Sequence, residues 1–470
     1  MNQNQIKKVK IVATLGPASD TPEMTLKLAE AGVDVFRLNL SHRVDRKETE
    51  NSVNNIRAVE KKLGRPLTIL GDLAGPKIRI GTVKEEVTLK AGHKIKVTSK
   101  KVEGDENIIS LNFPEILKNL KKGSEIYIGD GAIILKTEKI VSDGVVARVT
   151  VGGVLKSRKG FAAQGLTVSN FVLTEKDKKD IAMAVELGVD AIGISFVQTR
   201  KDVEAVAKLL PKNNPPALIA KIETRAGVEN AEDILNVANG LMVARGDLGL
   251  AVPMPELPGI QKNLIDLSLR KSKPVITATH MLESMRFNSM PTRAEVSDVT
   301  TAVLDGSDAV MLSAETAMGE FPEEAVKMMA DIAQTASEHL SPREFTEPGT
   351  VTNAVSSSVV KIADQVGARL IIALTESGWT ARSIVRHRPS QPVIALSPND
   401  RTIHRLNFSF GVFAQRVPII KDTDELIEIA RKVAINNPVV KLKKGEYFVI
   451  SAGVPFGQSG STNLALVQKV

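Results

Sequence analysis

The 470-residue chain contains no cysteine. This excludes disulfides and thiolate chemistry and agrees with a reducing compartment. Aromatic residues are scarce, at 3% with a single Trp, so there is no stacking surface for nucleic acid. The lysines behind the formal net charge of +8 are scattered along the chain, and small anionic substrates account for the charge at least as well as nucleic acid does. No stretch reaches the ~18 consecutive apolar residues of a membrane span. The polar start MNQNQIKKVK lacks the apolar core of a signal peptide, so no membrane partner and a cytoplasmic location are expected. With 43% hydrophobic residues, a chain of this length is too long for one core, and two to four domains are expected.

What is present is a repeated alternation of apolar runs and helical patterns. VKIVATLG, DVFRLNLS and LTILGDL read as strands, with the helices TPEMTLKLAEAG and DRKETENSVNNIRAVEKKL between them. After an interruption the rhythm resumes with the helix LTEKDKKDIAMAVELG and the strands AIGISFV, ALIAKIE, GLMVARGD, PVITATHM and DAVMLSAE. Eight strands alternating with helices predict a (β/α)8 barrel, whose functional residues lie where the strands end. Those ends carry Arg37, Asn39, Asp72, Phe196, Lys221, Glu223, Arg245, Asp247, Thr279, Ser313 and Glu315. Lys221, Glu223, Arg245 and Asp247 then share one mouth, where two carboxylates can hold a divalent cation and a lysine keeps positive charge beside a metal-bound oxygen. A structural ion-pair network would also cluster such charges. Core strands have no reason to close on polar residues one after another, which favours a site.

Residues 74–170 interrupt the rhythm with short alternating runs, KIRIGTV, HKIKVTS, EIYIGDG, AIILKTE and VVARVTV. Their period of two predicts a small inserted antiparallel β-barrel or sandwich. Residues 1–73 and 171–340 then make the catalytic barrel. Residues 341–470 make a C-terminal α/β domain with strands ARLIIALT, PVIALSP, GVFAQRV and EYFVISAG and a last edge strand near LALVQKV. In that domain the turn Thr375-Glu376-Ser377-Gly378-Trp379-Thr380 precedes a helix expected to begin near Ala381. It suits either a phosphate or an ordinary N-cap.

KIVATLGPAS, FRLNLSH, GPKIR, AKIETRAGVEN, ARGDLG, ATHMLESM, PTRAEVSDV and MLSAETAMGEFP together resemble the signatures of the pyruvate kinase family, over essentially the full length and in the usual order. The resemblance implies phosphoryl transfer from phosphoenolpyruvate to ADP, followed by protonation of the enolate to pyruvate. It assigns Lys221 to the transferring group, Glu223 and Asp247 to Mg2+ or Mn2+, and Arg37 and Arg79 to the phosphates. Ala244, Arg245, Gly246, Asp247 and Thr279 fall around the pyruvate moiety, with Thr279 relaying a proton. Asn39, Ser41, His42, Arg79 and Lys159 match nucleotide-contacting positions, joined by Asp130 when the inserted domain closes. Thr375, Ser377, Gly378 and Thr380 match a site for a phosphorylated effector acting on a homotetramer.

Departures from the family pattern carry expectations of their own. His280 replaces a glutamine, and Arg43 stands where glycine is common, beside the nucleotide pocket. Most relatives bind K+ with groups matching Asn39, Ser41, Asp72 and the carbonyl of Leu73. Here Leu73, Ala74 and Lys77 replace Thr, Lys and Glu, and members with lysine at position 77 resemble the K+-independent branch, so K+ is not expected to be required. Two rivals stand beside this reading. One is a metal-dependent lyase or aldolase on a pyruvate enolate, which needs neither the insertion nor Arg79 and Lys159. The other is a non-catalytic binder with a basic surface, which leaves the charged strand ends unexplained.

Overall fold

The computed structural model describes residues 6–43, 45–129, 131–163, 173–345, 350–456 and 462–470. Eight parallel strands, Lys10–Leu15, Val35–Asn39, Thr68–Asp72, Ala191–Ile194, Ala217–Ile222, Gly240–Ala244, Val275–Ala278 and Ala309–Leu312, close into a barrel. Each pairs with its neighbours in sequence, and the first pairs with the eighth. The strands are buried on both faces, which explains why they read as continuous apolar runs rather than as alternating ones.

Helix ends follow local chemistry. Thr21 accepts from the Met24 amide ahead of Pro22, and Gly32 ends that helix at φ 125°, a backbone conformation open mainly to glycine. Thr174 with Asp177, and Thr292 with Glu295, form capping boxes at the helices Glu175–Glu186 and Arg293–Leu304, each satisfying two orphan amides.

Register decides which side chains reach the mouth. Val12, Val35, Leu70, Ala191, Ala217, Ile219, Met242, Ile276 and Met311 fill the barrel interior, while the intervening residues pack against the outer helices. Because side chains alternate with a period of two, the interior face continues at the open end through Thr14, Arg37, Asn39, Asp72, Ser195, Lys221 and Glu223. The opposite end is closed by the C-terminal domain. Phe408 packs into the interior cluster, Lys10 Nζ donates to the Val412 carbonyl at 2.7 Å, and Asp308 pairs with Arg388 at 3.2 Å.

The inserted segment forms a six-stranded sheet in the order Phe161–Ala163, Glu125–Ile128, Ile133–Val141, Gly144–Val151, Lys94–Thr98, Ile108–Ser110, with a two-stranded ribbon of Gly153–Leu155 and Val87–Leu89. One pair, Lys94–Thr98 with Ile108–Ser110, is parallel rather than antiparallel. The expected strand KIRIGTV is corrected to isolated bridges, because it meets Gly160, Leu111 and Gly104 in turn and never runs two residues along one partner. The C-terminal sheet runs Val412–Arg416, Val393–Ser397, Leu370–Leu374, Tyr447–Gly453, Thr462–Lys469, with only the last strand antiparallel. Its helix Trp379–Val385 starts two residues before the expected Ala381. No helix among the described residues is long and apolar enough to cross a membrane.

One contact between the C-terminal domain and the barrel titrates. His404, on the helix Asp400–Leu406, lies 2.7 Å from Glu60 on the helix Arg46–Leu63, with Asp190 at 3.8 Å. Burial alone would lower the imidazole, but the Glu60 hydrogen bond and the Asp190 charge outweigh it and raise its pKa above the usual 6.5. A raised histidine stabilises the fold fully below its unfolded value, and the contribution is lost as pH rises through the folded one. Unfolding free energy should therefore fall with pH above about 6.5, and His404→Gln should flatten that slope. An unchanged slope in the variant would refute the assignment.

Candidate active site

Asp72 lies at the centre of the open mouth, with its side chain 1% exposed. Its Oδ2 accepts from Arg37 Nε at 2.6 Å and lies 2.6 Å from Nη2 as an ion pair, and Arg37 Nη1 reaches Thr14 Oγ1 at 3.0 Å. Across the barrel Lys221 Nζ is 3.2 Å from Asp72 Oδ1, a contact that is ionic but off hydrogen-bonding geometry. The same ammonium lies 3.0 Å from Glu223 Oε1 and donates to Ser195 Oγ at 2.7 Å. Ser195 in turn donates to the Leu73 carbonyl at 2.8 Å. Thr14, Arg37, Asp72 and Lys221 are carried by four different strands, with Ser195 just past a fifth and Glu223 two residues beyond Lys221, so the barrel's register sets their spacing.

The electrostatics follow from burial. Burial pushes the Asp72 carboxyl up, but Lys221 and Arg37 outweigh it and hold it below its usual value. Lys221 is raised, since Asp72 and Glu223 outweigh its desolvation. Glu223 is raised to about 7 by burial, with Asp247 and Asp72 adding to the shift, against the pull of Lys221 and the Phe196 amide that donates to it at 2.7 Å.

A cavity of about 460 Å³ opens above this cluster, bounded by the barrel mouth and the inserted sheet. Among its described lining residues are six cations, Arg37, Lys77, Arg79, Arg158, Lys159 and Lys221, against three carboxylates, Asp72, Glu223 and Asp247. Burial lowers both Lys77 and His42, and neighbouring cations push the same way. Such a site binds polyanions. Among the described residues no group of three or more His, Cys, Asp or Glu side chains is placed to hold a metal ion by itself. Glu223 and Asp247 are the carboxylate pair, and Asp247 sits in the first turn of the helix Arg245–Ala251. Two carboxylates completed by substrate oxygens suit a Mg2+ ion, and a buried carboxyl held near neutrality is one that a cation would ionise.

The sequence profile described as "Pyruvate kinase, barrel domain" matches residues 6–326, and "Pyruvate kinase, alpha/beta domain" matches residues 353–468. The chain belongs to the pyruvate kinase family. It is 41% identical to a pyruvate kinase of Geobacillus stearothermophilus, over 99% of this chain and 80% of that one. It is 40% identical to the pyruvate kinase of Methylorubrum extorquens, over 98% of this chain and 97% of that one. Among solved structures, a pyruvate kinase from Cryptosporidium parvum superposes with a TM-score of 0.91 at 32% identity, covering 100% of this chain and 97% of that one. As a pyruvate kinase the chain is a phosphotransferase, whose family substrates are phosphoenolpyruvate and ADP.

Of the residues that the pyruvate kinase resemblance assigns, Arg37, Asn39, Ser41, His42, Asp72, Leu73, Arg79, Lys159, Lys221, Glu223 and Asp247 line the one cavity, and Lys77 lines it beside them. Ala244, Arg245, Gly246 and Thr279 are not among its lining residues. The Gly246 amide donates to Thr279 Oγ1 at 2.7 Å. The Arg245 guanidinium turns to Asp298 and to the carbonyls of Thr279 and His280. Arg43 likewise leaves the nucleotide side and pairs with Asp20 at 2.6 Å. Phe196 contributes its backbone, and the interior position belongs to Ser195, which the period of two identifies. Glu315 holds loops by accepting from the Leu282 and Ser313 amides. Asp130 lies outside the described residues. Tyr127 and Arg158 also line the cavity, and no motif in the sequence marks them; Thr224, inside AKIETRAGVEN, lines it as well. In the C-terminal domain the Thr375 amide donates to Leu396, Gly378 takes φ 83°, and Thr380 shares a buried 2.8 Å hydrogen bond with Thr462. Arg382 donates to the Ser377 carbonyl at 3.2 Å. Residues 457–461 lie outside the described residues.

Lys221→Met should fold, because Asp72 keeps Arg37 as partner and Glu223 can take up a proton. Turnover should fall by about a hundred- to a thousandfold or more, the loss typical of removing one preorganised positive donor. Retention of more than about a tenth of wild-type turnover in a folded variant would remove Lys221 from the chemistry.

Proposed function

We propose that phosphoenolpyruvate and ADP meet in this cavity. The observation that supports this is Lys221, buried and fixed by Asp72, Glu223 and Ser195 beneath a surplus of cations. On this reading Lys221 and Arg37 hold positive charge against the phosphoryl group as it moves from the enol oxygen to ADP, which stabilises charge spread over the transferring oxygens. Arg79 and Lys159, from the inserted domain, take the nucleotide phosphates with Asn39, Ser41 and His42 beside them. Glu223 and Asp247 would hold Mg2+ or Mn2+, which supplies Lewis-acid charge at the phosphoryl and enolate oxygens. Ala244, Gly246 and Asp247 border the pyruvate moiety, and Thr279 relays the proton that converts the enolate to pyruvate.

The domain limits fit this division of labour. Residues 1–73 and 171–340 carry the reacting groups, residues 74–170 act as the lid, and residues 341–470 regulate. A phosphorylated effector at Thr375, Ser377, Gly378 and Thr380, acting through a homotetramer, belongs to the same proposal.

Pyruvate formation, followed as NADH consumption by a coupled dehydrogenase, should require phosphoenolpyruvate, ADP and a divalent cation together. Turnover without ADP would overturn the reading. Lys77 makes a sharper case. Its ammonium feels Lys221 and Arg79 on one side and Asp247 and Asp72 on the other, so it supplies the charge that a bound K+ would bring. Two such cations together repel by several kcal/mol in a partly desolvated site. Activity in tetramethylammonium buffers at matched ionic strength should be close to full, and Lys77→Glu should create a requirement for K+. A wild-type rate that climbs about tenfold on adding K+ would count against Lys77 in this role.

A further inference from the structure

Arg245 opens the helix Arg245–Ala251, immediately before Gly246 and Asp247, and is 9% exposed. Its Nη1 pairs with Asp298 at 2.7 Å, on the helix Arg293–Leu304. Its Nη2 donates to the carbonyls of Thr279 at 2.8 Å and His280 at 3.1 Å, and its Nε reaches the Thr279 carbonyl at 3.3 Å. The two residues it grips have φ values of 69° and 53°. These are left-handed conformations, and a β-branched residue keeps one only where its surroundings impose it. From that backbone Thr279 Oγ1 accepts the Gly246 amide at 2.7 Å and donates to the Ala278 carbonyl at 2.6 Å. One guanidinium thus ties the placement of the Thr279 hydroxyl to the segment that carries Asp247.

We propose that Arg245 is a positioning residue for enolate protonation: anchored by Asp298, it holds the Thr279–His280 turn in its left-handed form and so aims the Thr279 hydroxyl, without touching substrate. This rests on the reading of Thr279 as the proton relay. In that step the terminal carbon of the enolate gains a C–H bond as an O–H bond of the relay breaks, and the relay is refilled from solvent. The proton therefore comes, in net, from water. The fork is matched to the task because a planar guanidinium can hold two successive carbonyls and a carboxylate at once, whereas an ammonium is a single point. Removing it frees the turn to relax, while Lys221, Arg37 and Asp72 keep their own partners.

Two rates separate the halves of the reaction in the full-length enzyme with Mg2+: phosphoryl transfer to ADP, and deuterium uptake from D2O into the methyl group of pyruvate, read by NMR. Arg245→Met should slow methyl deuteration by about ten- to a hundredfold, the scale of an ångström of misplacement. It should lower kcat while leaving KM for phosphoenolpyruvate within about twofold. Arg245→Lys should recover part of the exchange. Combining Arg245→Met with Thr279→Val should be no worse than Thr279→Val alone, because the two would act through one group. Wild-type exchange in folded Arg245→Met, with only a lower Tm, would overturn the proposal by showing a purely structural clamp. If that variant does not fold, Asp298→Asn loosens the anchor and is judged by the same two rates. Thr279→Val exchanging at the wild-type rate would instead bring down the relay, and with it the purpose of the clamp. The two failures are told apart by which variant shows them.

Discussion

A single buried carboxylate organises the site. Asp72 faces Arg37 from the second strand and Lys221 from the fifth, and two cations this close in a desolvated mouth would repel strongly without it. A buried ion pair stabilises little by itself, because desolvation offsets most of the Coulomb attraction, but removing one partner leaves an uncompensated charge. The cluster is therefore better understood as a device for position than for stability. Arg37 is drawn into a fork on one oxygen of Asp72 and Lys221 lies by the other, so the two positive groups are fixed relative to one another before any substrate arrives. Preorganisation of this kind is what lets charge act on a transition state without reorganising.

That precision depends on the barrel being closed at one end and open at the other. Phe408 fills the interior from below, and the Arg388 pair with Asp308 and the Lys10 bond to Val412 fasten the C-terminal domain across the same end. The interior residues are thereby fixed in their layers. The alternation that puts Ile219 inside continues to put Lys221 and Glu223 inside at the other end. The inserted sheet then adds what the barrel cannot supply from its own strand ends, the cations Arg158 and Lys159, together with Arg79 at its entry, above the same opening.

Most of this architecture was legible because strands buried on both faces announce themselves as apolar runs, and because a polar residue at the end of such a run has few structural reasons to be there. What was not legible has local causes. Ser195 and Phe196 are adjacent and both follow the strand, and only the parity set by Ala191 separates the inward hydroxyl from a residue that offers its backbone. Arg245 reads as a strand end, yet the chain turns into a helix at that residue, which swings its side chain out of the strand's alternation. KIRIGTV has a strand's composition, but its partners change at almost every step. Tyr127 and Arg158 reach the cavity through tertiary placement of the inserted sheet, which no local pattern encodes.

The charges of the cavity make sense only as a set. Among its described lining residues six cations face three carboxylates, and burial has already raised one carboxyl, Glu223, to about 7. Its neighbours Asp247 and Asp72 both disfavour its ionised form, and Lys221 alone cannot reverse this. A divalent cation at Glu223 and Asp247 would remove that conflict by displacing a proton, and its uptake would then be coupled to ionisation of Glu223. The surplus of positive side chains is then left to face two polyanionic substrates. Lys77 belongs to that surplus, and burial together with Lys221 and Arg79 lowers its affinity for a proton while Asp247 and Asp72 raise it. Polyanions entering the cavity would add to the second group and so would favour the charged form of Lys77.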